Sequence, residues 1–600
     1  MDTEPAGDLD SGESETESWL RANPHRLDLG RLGFCQLSSE GRQALAIEAL
    51  QSPRQVLDLW HGVVASQFRY GTHQVKVDTA CHPTLDLVAV SIRSSAFADG
   101  LALSVAFPYG SSGWCNAADW NSAEAHSTVL EQTTTGWIVN RTLDESTYSM
   151  LIHGEGLVVD LQPDHTLVVS TASETLDATF HFLPGLASSE RAGDSAFTGG
   201  ARKAIDAAKA HWPKFWSSGG AIQLHQTDDP RAEELERRII LSQYVTAVNC
   251  SGSMPPQETG LVCNSWRGKF HLEMHWWHAA HFAQWGRSGL LTRSLGWYKT
   301  ILSNARDTAR AQHFAGVRWP KQVGPDGRES PSHIGAFLIW QQPHLIYLTE
   351  LLYRADPSRE LLEEYEDLVF ETAQFMASFA YRTDRGFELG PPLIPAQESY
   401  ASTRSTAQNP TFELAYWQWA LDVASMWRER LGRDPIPHWT DVSSNMVQPM
   451  VLDGIYTAID RHPYTIRKDH PSMLCAFGFL PATALINIDT MRSTLQDVLA
   501  DWDWDSTWGW DYPVIAMTAA RTLNPEAAVD ALLMPAAKND HLLNGHNRQT
   551  NELPIYLPGN GGLLSAVALM AAGWDGCPDR SAPGFPSNWS VQWEGLVPAP

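Results

Sequence analysis

The chain has 600 residues, with 43 Lys plus Arg against 69 Asp plus Glu and a formal net charge of −26 at pH 7. That balance disfavours nucleic acid or an anionic membrane as the main partner and suits a neutral or cationic ligand. With 43% hydrophobic and 19% charged residues the chain can bury a sizeable core, no stretch approaches the roughly 20 continuous apolar residues of a membrane span, and the length exceeds the roughly 100–200 residues of one ordinary domain.

Residues 1–25 are acidic and lack the basic and apolar regions of a signal peptide, so they read as a disordered start. Nothing in the chain as it stands encodes export, and the expected location is cytoplasmic or, after processing, secreted. Residues 26–200 alternate polar and apolar side chains in short runs such as HQVKVDTACH and LALSVAFPYG, broken by Gly, Pro, Asn and Asp. Period-two alternation with such breaks predicts antiparallel strands in a β-sandwich. Residues 201–229 read as a helical linker. From 230 to 600 the period changes to that of amphipathic helices, and Asp228-Asp229-Pro230 opens the first with a cap and a first-turn proline.

Twelve helices are predicted, near 231–250, 271–286, 290–314, 333–353, 359–381, 411–430, 437–449, 471–483, 489–501, 512–523, 525–534 and 560–573. Twelve helices after an all-β segment predict six hairpins closed into a toroid, an (α/α)6 barrel with a cleft at one end. Several are apolar nearly all round, HIGAFLIWQQPHLIYLTELLY for one, which suits an inner ring covered by an outer one. The seven cysteines are widely spaced with no CxxC pair, unlike a zinc site or a dense disulfide framework.

Tryptophan is the anomaly, 25 in 600. A lone Trp is most simply core, whereas one set among Asp, His and Arg offers a flat apolar face to a ligand. The densest cluster is CNSWRGKFHLEMHWWHAAHFAQWGR at 263–287, from which Trp266, His271, Glu273 and His275 are candidate ligand contacts. On an ideal helix His271, His275 and His278 fall within about 60° of one another and Glu273 points about 160–220° away. Glu273 then belongs to a first helical turn as an ionised hydrogen-bond acceptor. A three-histidine metal site is the minor alternative. The loop GVRWPKQVGPDGRES at 316–330 offers Arg318, Trp319 and Lys321. The Pro-rich segment 390–417 carries Gln397, Glu398 and Asn409, and its Leu393 and Ile394 could desolvate a carboxyl as a general acid requires. DWDWDSTWGWDYP at 501–513 interleaves Asp with Trp, including Trp504, Asp505, Trp508 and Asp511, a pattern suited to a sugar platform. A loop at 538–562 holds Asp540 and Glu552 and ends in Gly-Asn-Gly-Gly, and loops of that length in compact domains are usually functional or disordered.

On these strings the chain resembles the six-hairpin glycosidases, in particular the maltose and kojibiose phosphorylase and hydrolase group, glycoside hydrolase family 65. Gly268-Lys-Phe-His-Leu-Glu273 is similar to that family's segment ending in Trp-Asp-Thr-Glu, with Glu273 where the sugar-gripping aspartate stands. Gly316-Val-Arg-Trp-Pro through Gly327-Arg-Glu329 resembles its Gly-x-Arg-x-Pro-Trp loop and Gly-x-Glu. Pro395-Ala-Gln-Glu398-Ser-Tyr with Asn409 is similar to its Gly-Pro-Asp-Glu-Tyr segment and following Asn, in which the glutamate is the general acid. Trp-Asp-Thr-Glu itself is missing, and no match to the Ser-rich phosphate loop is present, which puts phosphorolysis in doubt. HLEMHWWH, WDWD-T-WGWD and LPGNGGLL also resemble strings of hydrolases without an assigned substrate.

The resemblance implies an exo-acting glycoside hydrolase working with inversion on an oligosaccharide or glycoconjugate, without metal or organic cofactor. Inversion needs an acid at the leaving oxygen and a base for water about 6.5–9.5 Å away. Glu398 is the expected acid. The base of such barrels usually follows the eleventh helix, which makes Glu552 the leading candidate, with Asp540, Asp505 and Asp511 behind it. Trp266, His271, Glu273, His275, Arg318, Trp319, Lys321, Gln397, Asn409, Trp504, Asp505 and Trp508 are the expected substrate-binding residues. A disaccharide phosphorylase of the same fold, a polysaccharide lyase and a non-catalytic carbohydrate-binding protein are the rival readings.

Overall fold

The computed structural model describes residues 15–22, 25–190, 197, 199–332 and 334–600. The expected disorder of residues 1–14 and 23–24 lies outside the described residues, and Glu15–Ala22 is a helix, α1. The chain forms two compact units. One runs from Arg26 to Ser218, and the other comprises Gly219–Pro600 with the described residues before Arg26.

The first unit is antiparallel throughout its main strands: β1 Arg31–Ser38, β2 Gly41–Ala44, β3 Gln51–Asp58, β4 Val63–Tyr70, β5 His73–Cys81, β6 Leu87–Arg93, β7 Leu101–Ala106, the short β8 Tyr109–Gly110 and β9 Ala118–Asp119, then β10 His126–Gln132, β11 Trp137–Leu143, β12 Ser146–His153, β13 Leu157–Leu161, β14 Thr166–Thr171 and β15 Thr175–Pro184. One sheet has five strands in the order β13-β14-β7-β1-β2, the other eight in the order β10-β11-β12-β15-β6-β5-β4-β3. Alternation sets which side chains meet. Phe68, Val75, Val90 and Ile92 of the larger sheet share one buried cluster with Leu103, Val105, Leu167 and Val169 of the smaller. The segment read as a linker forms helix α2, Gly200–Trp216, whose Ala201, Ala204, Ile205 and Ala208 repeat at i, i+3, i+4 and i+7. That stripe covers Ala80, Leu87 and Ala89 on the other face of the eight-stranded sheet.

The second unit is helical: α3 Arg231–Cys250, α4 His275–Gln284, α5 Ser288–Thr300, α6 Leu302–Ala311, α7 His344–Ala355, α8 Arg359–Phe379, α9 Thr411–Arg430, α10 Pro437–Ser444, α11 Ile488–Ala500, α12 Asp511–Arg521, α13 Pro525–Leu532 and α14 Leu557–Ala572. The pattern near 290–314 is split into α5 and α6, and that near 471–483 is a 3-10 turn, Ser472–Ala476. Six elements touch in a circuit that closes, α4 to α7 to α9 to the Ser472–Ala476 turn to α12 to α14 and back to α4. Their composition explains the position. Every residue of α4 and α12 is buried, as is Leu557–Ala571 of α14. Helices outside the circuit are one-sided, such as α8, capped by the Ser358 hydroxyl and burying Leu362, Tyr365, Leu368, Val369, Thr372 and Phe375. Close approach within the circuit requires Gly561, where a Cβ would lie 1.8 Å from the Trp277 carbonyl oxygen.

Each circuit element is entered through a loop: 251–274, 312–343, 380–410, 445–471, 501–510 and 533–556. Consecutive loops are tied to one another. Leu272 N–H donates to Lys321 O (2.9 Å), Ile394 N–H to Phe337 O (2.9 Å) and Leu557 N–H to Glu258 O (3.0 Å). Ser399 N–H donates to Asp469 Oδ2 (3.0 Å), Asp469 N–H to Ser506 Oγ (2.7 Å) and Gly509 N–H to Gln549 Oε1 (3.1 Å). The six loops thus form a second closed ring of hydrogen bonds over one end of the helices.

Candidate active site

A cleft is lined by Glu258, Trp266, Glu273, Met274, Lys321, Glu398, Asp469, His470, Trp508 and Tyr556. Every one of the six loops contributes. Met274, His470, Trp508 and Tyr556 stand just before the elements they introduce, and a helix N-terminus favours nearby negative charge.

Lys321 is the centre of charge. Its ammonium is 4% exposed and lies 3.3 Å from Glu273 Oε1, itself 5% exposed, and against Glu398, which is 26% exposed. Pairing of Phe270 with Val323 and of His271 with Gln322 brings the Glu273 and Lys321 segments together. His344 Nε2 also holds the Glu273 carbonyl at 3.0 Å. Burial alone would lower the Lys321 pKa, but Glu273, Glu398 and Glu258 outweigh it and hold the amine above its ordinary value. Burial pushes Glu273 up to about 8 against the pull of Lys321, with Glu398 and Glu258 adding to the rise. Burial likewise takes Glu258 up to about 7, opposed by the Trp266 indole N–H, which donates to Glu258 Oε2 at 2.8 Å. On the opposite wall His470 lies between Asp511 (Nδ1 to Oδ1, 2.8 Å) and Asp469 (Nε2 to Oδ1, 3.4 Å). Aromatic faces complete the wall, Trp508 against Tyr556 at 5.5 Å and Lys321 over Trp266 at 5.7 Å.

Of the residues expected from sequence, Trp266, Glu273, Lys321, Glu398 and Trp508 meet in this cleft. Others lie outside its lining, several of them buried and bonded to the protein. His271 pairs with the Gln322 amide, and His275 with Tyr298 (3.0 Å) and Ser294 (2.9 Å). Arg318 donates to Gln342 and to the Leu338 carbonyl, and the Trp319 indole to Thr372 (2.9 Å). Gln397 donates to the carbonyls of Ile466 (2.6 Å) and Lys468 (2.8 Å), tying two loops together. Asn409 has a φ of 50° and donates to Glu388 and Asp460, both at 2.9 Å. Trp504 stacks on Tyr512 at 6.3 Å, and Asp505 is exposed. Asp511 is buried behind His470, Asp540 sits in a short pair opposite Arg548, and Glu552 is exposed and outside the cleft lining.

The helix-wheel argument for the histidines is corrected by where the helix begins. α4 starts at His275, so His271 lies in a short strand and Glu273 in the loop, free of the helical face that would turn it away. No group of three or more metal-ligating side chains converges among the described residues. Glu258, Asp469, His470 and Tyr556 were not foreseen. Their signal is slight: a Gln-Glu pair after Pro255-Pro256, and Asp469-His470 between the basic Arg467-Lys468 and Pro471.

No family model matches the chain, and no curated protein matches its sequence. Solved structures do. A bacterial glucoamylase in complex with acarbose is similar over 90% of this chain and 88% of its own, at 11% identity and a TM-score of 0.55. A family GH92 α-mannosidase from Bacteroides thetaiotaomicron is similar over 90% and 75% at 10% identity (TM-score 0.39), and a family GH78 rhamnosidase of a Bacillus species over 87% and 48% at 8% identity (TM-score 0.39). The fold is similar to that of the bacterial glucoamylase, an antiparallel β region followed by a helical part.

Proposed function

We propose that the protein is a glycoside hydrolase, exo-acting and inverting, whose helical unit is the (α/α)6 barrel to which the closed circuit of six elements corresponds. The observation that carries this reading is the cleft itself: four carboxyl side chains, Glu258, Glu273, Glu398 and Asp469, converge with Trp266, Trp508 and Tyr556 where six loops meet. A pocket to which all six loops contribute suits a terminal sugar better than the interior of a polymer. Four carboxyls facing Lys321 and His470 leave little positive potential for a phosphate dianion, which favours water over phosphate as the acceptor.

Glu398, the most exposed of the Lys321 partners, is assigned as the acid at the leaving-group side. Glu398 and Glu273 share one ammonium, and burial raises the Glu273 carboxyl above its ordinary range. Glu258, close to neutral in its pKa and deeper in the cleft, is assigned as the base in place of the exposed Glu552. Narrower kinship with family 65 rests on the motifs around Glu273, Arg318 and Glu398.

The test is a panel of α- and β-linked disaccharides and oligosaccharides, incubated with and without phosphate, on wild type and Glu398→Gln. Release of sugar without phosphate, with kcat reduced about 100-fold or more in the folded variant, supports the assignment. Binding without turnover on every member would move the reading to a carbohydrate-binding protein.

A further inference from the structure

Asp469 is held in an unusual way. Its φ is 66°, in the left-handed region that a residue with a side chain keeps where its surroundings impose it. Four contacts impose it. Its N–H donates to Ser506 Oγ (2.7 Å), its carbonyl accepts the Trp502 indole N–H (2.9 Å), its Oδ2 accepts the Ser399 N–H (3.0 Å), and its Oδ1 faces His470 Nε2 (3.4 Å). Ser399 adjoins Glu398, so the carboxylate of Asp469 is tied to the loop of the assigned acid. Behind it, His470 Nδ1 is 2.8 Å from Asp511 Oδ1, and the other oxygen of Asp511 accepts the Trp508 N–H at 2.8 Å. Trp510 covers the imidazole face at 4.0 Å and 28°.

We propose that Asp511, His470 and Asp469 are a positioning relay, in which His470 as an imidazolium holds Asp469 in place and Asp469 fixes the Glu398 loop. The proposal rests on the glycosidase reading for its consequence in activity, but the relay itself stands on the geometry. The groups that face His470 are Asp511 from α12, Asp469 beside it, Glu398 from the neighbouring loop and, further off, Glu258. All are acids; Lys321 pairs with Glu398, and the imidazolium balances Asp511 and Asp469. Burial by itself would discharge the ring, yet Asp511 and Asp469 outweigh it and raise its pKa to about 9. A raised histidine contributes its full stabilisation below its ordinary value of 6.5 and loses it as pH rises through about 9. Above that pH two buried carboxylates face a neutral ring, and the strained turn at Asp469 has no counter-ion to hold it. The functional link is then loop geometry: an acid displaced by about an ångström loses much of its effect.

The relay is tested by NMR titration of the His470 ring in the full-length chain, in wild type, Asp511→Asn, Asp469→Asn and, as a control, the exposed Asp503→Asn. The ring should remain protonated beyond pH 8 in wild type and in the control, and its midpoint should fall by one unit or more in each relay variant. A wild-type midpoint near 6.5, or relay variants that titrate like wild type, would overturn the proposal whether or not any sugar is cleaved. With a cleavable substrate, the ratio of wild-type to Asp511→Asn turnover should grow about twofold or more between pH 6 and pH 8, and a constant ratio would overturn the link to Glu398. Should no substrate be cleaved while the ring titrates near 9, the glycosidase reading fails and the relay stands.

Discussion

Replacing Lys321 by Met tests the electrostatic centre of the cleft. Met keeps most of the apolar stem and removes the ammonium, leaving Glu273 at 5% exposure without the cation 3.3 Å away. Breaking a buried pair by deleting one partner costs roughly 3–5 kcal/mol where the survivor must stay a desolvated charge, and less where it takes up a proton. Glu398, at 26% exposure, is screened by water and adds little. The penalty depends on pH with a definite sign. Glu273 is raised from 4.5 to about 8, so the folded state holds its proton more tightly than the unfolded state. Its favourable contribution is complete below 4.5 and is lost as pH rises through about 8. In Lys321→Met the protonated Glu273 needs no cation at acidic pH, so only packing is lost there, about 1 kcal/mol. Denaturant unfolding followed by tryptophan fluorescence at pH 5.5 and pH 9 measures both values. Because the unpaired Glu273 takes up a proton, the extra cost one pH unit above 8 is limited to about 1.4 kcal/mol, so a penalty of about 2–2.5 kcal/mol at pH 9 that shrinks toward about 1 kcal/mol at pH 5.5 is expected. Equal penalties at the two pH values would refute the reasoning that Glu273 is held by Lys321.

Three further outcomes are expected. Trp266→Phe removes the N–H donated to Glu258 and so raises the Glu258 pKa above about 7, moving the acidic limb of the activity profile upward by a fraction of a unit to one unit; an unmoved limb would detach Glu258 from the base role. Glu552→Gln alters an exposed side chain outside the cleft lining and should leave turnover within about twofold, so a hundredfold loss would restore Glu552 as the base. Gly561→Ala places a Cβ against the Trp277 carbonyl and should destabilise the helical unit by roughly 1–3 kcal/mol or more, seen as a lower unfolding midpoint; an unchanged midpoint would contradict the tight α4–α14 contact.

The helices were legible because their period and caps are local. The patterns near 231–250, 359–381 and 411–430 correspond within two residues to α3, α8 and α9. The run 271–286 was extended too far toward its N-terminus because HLEMH keeps the helical period through a segment that instead pairs with Gln322 and Val323. That error turned Glu273 outward on paper, whereas the loop directs it into the cleft. Tryptophan clusters were a partial guide. Trp266 and Trp508 reach the cleft, while Trp276, Trp277, Trp319 and Trp510 from the same clusters fill the core between helices. Glu398 and Lys321 were found through their motifs. Glu258 and the Asp469-His470 pair were not, because each is a short polar segment whose meaning comes from its neighbours around the ring. The bond from Leu557 N–H to the Glu258 carbonyl brings Glu258 beside Tyr556, and Asp469 meets the Glu398 loop through Ser399. Such contacts join positions far apart in sequence and leave no periodic trace.

The central claim is that two carboxyls of the cleft cleave a glycosidic bond directly with water. The most direct measurement is proton NMR of the anomeric region during the first minutes of turnover of a cleaved oligosaccharide in phosphate-free buffer. The account predicts a free sugar whose first-formed anomer is opposite to the bond cleaved, later drifting to equilibrium by mutarotation. A first-formed anomer of the same configuration, or release that requires added phosphate, would contradict it.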